Sequence, residues 1–562
     1  MSLHARWRRA RAAAIGAVSL GLIATGCGGS SGGSSTDPDT LIAYTGQAGD
    51  WQRNYNPYSP DAIGGKGTIY ETLFFFNVAR QDEPASRLGT EYSWNDDGTE
   101  LTIDLREGVT WSDGEAFDAE DVAFTFNLVR DTASFNSFGF DGDTEIVSPT
   151  QVKVTFEEAA YMDVPQLLGK TWIVPEHIWS GIEDPETDIM EEPVGTGAFV
   201  MHEFKPQAYT FASNPEYWDG EPELKKVRFV SLSGNQAAAD ALSAGEIDFF
   251  TGPVPDMENF EKNHDGYKII TTPMNQMALV TCANTDLGCE GPQTDPAVRH
   301  AIFHAMDRDT LNSLAFQDTA SEISPGYTLP ERDAAYASAQ LENRTASMTA
   351  DVAQAEEILE AAGYTRGSDG IYAKDDVKLE MSLRVTAGWT DYITAVNTMA
   401  EQLNEAGIKV NVNQASFNET TDARNSGNFE LAIDSLYPGA SPDPYYVYYQ
   451  FFHSSSTVEV GESTNPGWAR YSNPEVDEAL EALTQMDPDA GQDARQPYYD
   501  TIQAQIEEDM PYIPIMTGGT TSQFNAAKFS GWPTDVNMYA FPAVWSHPDQ
   551  SEIFRNLKPA GE

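Results

Sequence analysis

Basic side chains are scarce in this chain: 33 Lys and Arg stand against 87 Asp and Glu over 562 residues, a formal charge of −54. Nucleic acids and anionic membranes are bound through clustered Lys and Arg, so the balance excludes both as partners. Cysteine is nearly absent, at three residues, and the two in the body are too few to hold a metal by themselves. Beyond the N-terminus no run is apolar enough to span a bilayer. The body has no G-x-S-x-G elbow, no phosphate loop and no catalytic Cys, the traces that an exposed nucleophile or a nucleotide site leaves. Internal repeats are also missing. Disorder is excluded in turn: the acids are spread along the whole length, and aromatics reach 11% with 24 tyrosines.

The N-terminus reads as a processing segment. Arg6, Arg8, Arg9 and Arg11 form a basic region, Ala12 to Thr25 is a short apolar stretch, and Leu22-Ile-Ala-Thr-Gly precedes Cys27. That length suits a secretory signal. Small residues before a Cys resemble a bacterial lipoprotein signal, in which Cys27 is lipidated and becomes the first residue. Gly28 to Ser35 is Gly and Ser only, a flexible coil suited to tethering a body to a membrane. The expectation is a signal peptide at 1–26, a tether at 27–39, and an extracytoplasmic body anchored to the outer face of the cell membrane. Cys282 and Cys289 are then an even, closely spaced pair in a secreted context, read as a local disulfide.

The body alternates strand and helix signals. Leu41–Tyr44 is a first short strand, and Leu101-Thr-Ile-Asp-Leu105 and Val152-Lys-Val-Thr-Phe156 alternate with period two. Asp118 stands at an N-cap position with Asp121 three residues on, before Val122, Ala123, Phe126 and Val129 at helical spacing. Gly195 and Gly197 flank Thr196 in a stretch read as a tight reversal through positive-φ glycines, followed by the Tyr217-Trp218-Asp219-Gly220 turn. Helices ending at Gly363 and Gly407 come next, the second feeding a strand from Ile408 to Val412.

Leu105-Arg-Glu-Gly-Val-Thr-Trp-Ser-Asp-Gly114, Phe117–Phe126, Trp172-Ile-Val-Pro-Glu-His177, the Pro193–Phe199 stretch and Pro296–Arg308 together resemble the extracytoplasmic solute-binding proteins of family 5, over about residues 40–545. The resemblance implies an α/β fold of the type II periplasmic-binding-protein kind, two lobes joined by a two-strand hinge with an extra inserted subdomain. Lobe I would take 40–76, 190–284 and 521–562, the inserted subdomain 77–189, and lobe II 285–520. It implies a monomer with no cofactor and no catalysis, which traps a peptide, oligosaccharide, nickel or other solute between its lobes and hands it to the membrane permease of an ABC importer.

Candidate site residues are the aromatics of apparent loops. Trp51, Tyr55, Asn56 and Tyr58 lie in a Pro-rich loop, where such rings either stack on a ligand or plug a core. Trp389, Tyr437, Tyr445, Trp468 and Trp545 complete the set, with Asp443 in Ser441-Pro-Asp-Pro-Tyr445. In the peptide-binding members an Asp ahead of an Asp/Glu-Pro pair holds the peptide ammonium. Aligning Asp443-Pro444 with that pair puts Ala440 in its place, and a buried ammonium without its carboxylate is costly. An oligosaccharide is therefore preferred over an oligopeptide. His300 and His304 share a helix face as zinc pairs do, but no Glu follows His300 and the helix reads as packed, so no metal is assigned. A secreted, lipid-anchored glycosidase is the alternative of another class.

Overall fold

Two long strands, Tyr267–Thr281 and Tyr512–Asn525, run antiparallel through the middle of a ten-stranded mixed sheet. The computed structural model describes residues 38–47, 49–487 and 490–561; the signal segment, Cys27 and nearly all of the tether lie outside them. Outward from Tyr512–Asn525 come Phe249–Thr251, Thr40–Tyr44, Lys226–Val230, Ala208–Ser213 and Phe199–Lys205. Outward from Tyr267–Thr281 come Leu431–Leu436, Glu380–Thr386 and Lys409–Ala415. Each flank contains a parallel group, Thr40–Tyr44 with its two neighbours and Glu380–Thr386 with its own. Thr40–Tyr44 and Leu431–Leu436 are buried on both faces, which is why Leu41–Tyr44 reads as a short apolar run without strict alternation.

The two long strands carry an interruption at their midpoint. Pro273 has no N–H to give the ladder, the register shifts between Thr272 and Asn275, and Asn275 pairs with Gly518. The two halves of the sheet are thus joined by two strands whose ladder is interrupted, in keeping with the two-strand hinge that the resemblance implies.

A separate four-stranded antiparallel sheet orders Gly89–Trp94, Glu100–Leu105, Gln151–Thr155 and Asp143–Ser148. Leu101, Ile103, Leu105, Val152 and Val154 are its buried face, as the period-two pattern requires. Helix Ala119–Asp131 covers it, capped by Asp118 accepting from the Glu120 N–H at 2.8 Å. Asp121 accepts in return from the Asp118 N–H, and also from Trp111 Nε1 at 3.0 Å and the Glu176 N–H at 2.9 Å. The Asp121 carboxylate thereby fixes a helix start, a turn and the segment at Glu176, beside the Asp118 cap, itself worth about 1 kcal/mol. The apolar core here is continuous with that of the neighbouring sheet flank, running from Leu41 through Leu101 and Trp111 to Phe229 and Leu557.

Gly195 and Gly197 are needed for a different reason than the expected one. Neither has positive φ. A Cβ on Gly195 would sit 2.0 Å from the Ile69 carbonyl oxygen, and one on Gly197 2.3 Å from that of Thr68. The glycines let this segment lie against helix Lys66–Ile69, where the Gly197 N–H donates to Ile69 O at 2.8 Å. The Tyr217-Trp218 turn locks the same region: both side chains donate to the buried carboxylate of Glu71, at 2.7 and 2.9 Å. Cys282 and Cys289 are joined as a disulfide, and His300 Nε2 lies 2.8 Å from the Glu508 carbonyl oxygen.

Candidate functional site

A cleft of about 410 Å³ opens between the two flanks of the large sheet, within the range of small-molecule sites. Its walls are built from residues just past the carboxyl ends of the strands. Thr45 and Gln47 come after Thr40–Tyr44, and Asn235 lies a short loop beyond Lys226–Val230. From the opposite flank, Trp389, Asp391 and Tyr392 come after Glu380–Thr386, Phe417 after Lys409–Ala415, and Tyr437 after Leu431–Leu436. The floor is Asn275 and the Gly519–Thr521 stretch of the two long strands. Open α/β sheets place ligands in this same position, outside the carboxyl ends of their strands.

The walls touch each other. The Asn235 N–H donates to the Gly388 carbonyl at 3.1 Å, Asn235 Nδ2 to Asp391 Oδ1 at 3.2 Å, and Trp389 Nε1 to the Gly46 carbonyl at 3.4 Å. Gly234 and Gly388 make this approach possible, with φ of 143° and 90°; a Cβ on Gly234 would lie 2.7 Å from Gly388 O. Trp389 occupies the N-cap position of helix Thr390–Glu405. Its ring packs edge-on to Tyr392 at 5.7 Å and near Phe417 at 6.1 Å, leaving it half-buried.

The polar groups of the cleft are mostly neutralised or engaged. Asp391 is pushed up to about 6 by burial, opposed by the Tyr392 N–H and Asn235. Asp434 is ion-paired to Arg424 and accepts from the Ser435 N–H at 2.8 Å. Tyr392 OH and Ser435 Oγ are 2.6 Å apart. Burial pushes the Tyr437 phenol up to about 12 and pulls Arg424 down to about 10.

Of the sequence-predicted set, Trp389, Tyr437 and Trp545 line the cleft. Trp545 is 39% exposed and is held by the segment whose Pro542 carbonyl accepts from Ser522 Oγ and whose Val544 N–H donates to Thr251 Oγ1. The other seven do not line it. Trp51 packs edge-on to Tyr209 and bonds Gln47, which itself lines the cleft. Tyr55 is buried beside Met201, and Asn56 donates to the carbonyls of Pro185 and Asp188. Tyr58 stacks on Phe135 and donates to Trp172 O. That loop therefore fastens the 77–189 segment to the main sheet. Asp443 accepts from Tyr499 OH at 2.7 Å and lies 3.2 Å from Arg495. Tyr445 begins helix Tyr445–Phe452, a segment read as a loop from its Pro and Asp, and its OH is 2.6 Å from Thr484 Oγ1. Trp468 is buried behind Tyr437 with the Arg424 guanidinium 3.8 Å over its ring.

Sequence reasoning missed Asn235, Asn275, Asp391, Tyr392, Asp434 and Ser435. The usable signal was position, since most of them sit at or just beyond a strand's carboxyl end; a search for aromatic loops did not weigh it. Among the described residues no group of three or more His, Cys, Asp and Glu is arranged to hold a metal ion, and no helix is long and apolar enough to cross a membrane.

The family model described as "Bacterial extracellular solute-binding proteins, family 5 Middle" matches residues 83–458. Protein XP55 of Streptomyces lividans is 30% identical over 455 residues, covering 80% of this chain and 77% of that protein. The oligopeptide-binding protein AppA of Bacillus subtilis is 26% identical over 465 residues, covering 79% and 81%. Among solved structures, a mannohexaose-bound periplasmic oligopeptide-binding protein of Thermotoga maritima superposes with a TM-score of 0.84 at 23% identity, covering 94% of this chain and 100% of that one.

Proposed function

From a chain that belongs to the family 5 bacterial extracellular solute-binding proteins, which are transport components working with ABC-importer permeases, we propose a carrier that closes on an oligosaccharide. In this reading Cys27 carries the lipid anchor, the body is a monomer, and delivery rather than reaction is the outcome of binding.

The observation that carries the saccharide reading is the cleft's lack of a free carboxylate. Ala440, which the alignment on Asp443-Pro444 puts where peptide binders hold the ammonium, brings no carboxylate and is itself buried outside the cleft lining. The two lining acids are engaged, Asp434 by Arg424 and Asp391 by Asn235. What remains accessible is aromatic surface from Trp389, Tyr437 and Trp545 beside hydroxyl and amide groups, a combination that suits the C–H faces and hydroxyls of sugars. The mannohexaose-bound neighbour shows that the fold accommodates such a ligand. An oligopeptide is the second reading, favoured by the likeness to AppA. A thermal-shift panel of manno-, cello- and xylo-oligosaccharides against di- to pentapeptides separates the two, because a ligand that binds only the folded state raises the melting temperature. A shift with sugars alone supports the proposal, and one with peptides alone overturns its saccharide part.

A further inference from the structure

We infer that one end of the cleft, at His547 with Lys66 and Lys170 behind it, is an anion subsite, so that the preferred ligand carries a carboxylate. This rests on the carrier reading above and names a chemical feature of its ligand.

His547 lines the cleft beside Gly64 and Trp545. Two lysines stand against it. Lys170 Nζ donates to the His547 carbonyl oxygen at 3.2 Å, and Lys66, two residues beyond Gly64, donates to Pro57 O at 2.8 Å. An ammonium has three N–H donors, and among the described residues each of these shows a single hydrogen bond and no ion pair. That is unusual here: acids outnumber bases heavily, and Lys153, Lys268, Lys374 and Lys528 all hold carboxylates. The carboxylate that acts on Lys170 belongs to Asp549, whose oxygens already accept from the Phe541 N–H and Ser546 OH.

The His547 ring adds a third unsatisfied group. Its Nδ1 is buried and has no hydrogen-bond partner. Burial, then Lys66 and Lys170, push its pKa down to about 3, so the imidazole is neutral. Burial brings Lys66 down to about 8 and lowers Lys170 as well. Desolvated ammonium groups are stabilised by an incoming anion, and charge-assisted hydrogen bonds are the strong ones. A carboxylate at this end of the cleft would meet the His547 imidazole, with the charge of the two ammonium groups behind it. Its source is an acidic sugar residue or a peptide C-terminus.

Calorimetric titration of the full-length protein with matched probes tests this: mannohexaose against an oligomannuronate of similar length, and a tetrapeptide acid against its C-terminal amide. The carboxylated member of at least one pair binds more tightly by roughly tenfold or more, and rising sodium chloride narrows the gap. A gain in the sugar pair identifies an acidic saccharide, and a gain in the peptide pair a C-terminal carboxylate. Lys66→Met with Lys170→Met abolishes the gap and leaves the neutral member's affinity unchanged. Should that variant fail to fold, the salt dependence of the wild-type gap decides. Equal affinities within both pairs, or a gap that survives in the folded variant or is indifferent to salt, overturn the subsite alone. Binding of no probe overturns the carrier reading and the subsite with it.

Discussion

Trp389 joins the two walls of the cleft: its indole N–H reaches Gly46 on one side while its ring packs on Tyr392 and Phe417 on the other. Trp389→Ala removes a stacking face from the ligand and a bond from the closed arrangement. The expected loss is about 1–3 kcal/mol of binding, roughly fivefold to a hundredfold, on an oligosaccharide that shifts the wild-type melt. Unchanged affinity in calorimetry would contradict the assignment. A second prediction concerns pH. Burial raises Asp391 from the ordinary carboxylate range to about 6, against the hydrogen bond from Asn235, so closure that buries it takes up a proton in the window between about 4 and 6. The associated stabilisation is fully present below about pH 4 and is lost as pH rises through 6. Asp391→Asn flattens that part of the affinity-against-pH curve and binds at pH 7 at least as well as wild type; superimposable curves would sink the idea. At this scale the sequence told little. Trp389 and Trp468 both sit beside glycine in loop-like stretches, yet one lines the cleft and the other is sealed beneath Arg424. Burial depends on which strand ends the fold brings together, and local composition does not carry that.

Between elements, the walls meet glycine on glycine. Gly234→Val introduces side-chain atoms where even a Cβ lies 2.7 Å from Gly388 O. The walls should then stay apart: ligand affinity falls at least tenfold, and the ligand-induced decrease in radius of gyration seen by small-angle scattering shrinks. A variant that compacts and binds like wild type would contradict the contact's role. Element boundaries were legible where side chains name them. Asp118 caps its helix as its spacing to Asp121 implies, and Gly363 and Gly407 come after their helices with positive φ. They were misread where a residue's usual preference was overridden. Gly195 and Gly197 serve a close backbone approach without positive φ. Pro444 caps helix Tyr445–Phe452, whose tyrosines looked like loop aromatics.

At the scale of the whole chain, the α/β class and the family were readable from motifs in series, because these record turns and caps that the fold needs. The ten-stranded order was not, since it depends on strands such as Tyr267–Thr281 and Tyr512–Asn525 meeting across a long stretch of intervening sequence. Their antiparallel crossing, interrupted at Pro273 and Gly518, is where the proposed carrier would hinge its two flanks about the ligand. The most direct test is calorimetric titration with an oligosaccharide that raises the melting temperature, followed by chromatographic recovery of the sugar. One saturable site per chain, with the oligosaccharide recovered intact after prolonged incubation, is the predicted result; progressive cleavage to shorter sugars would contradict it.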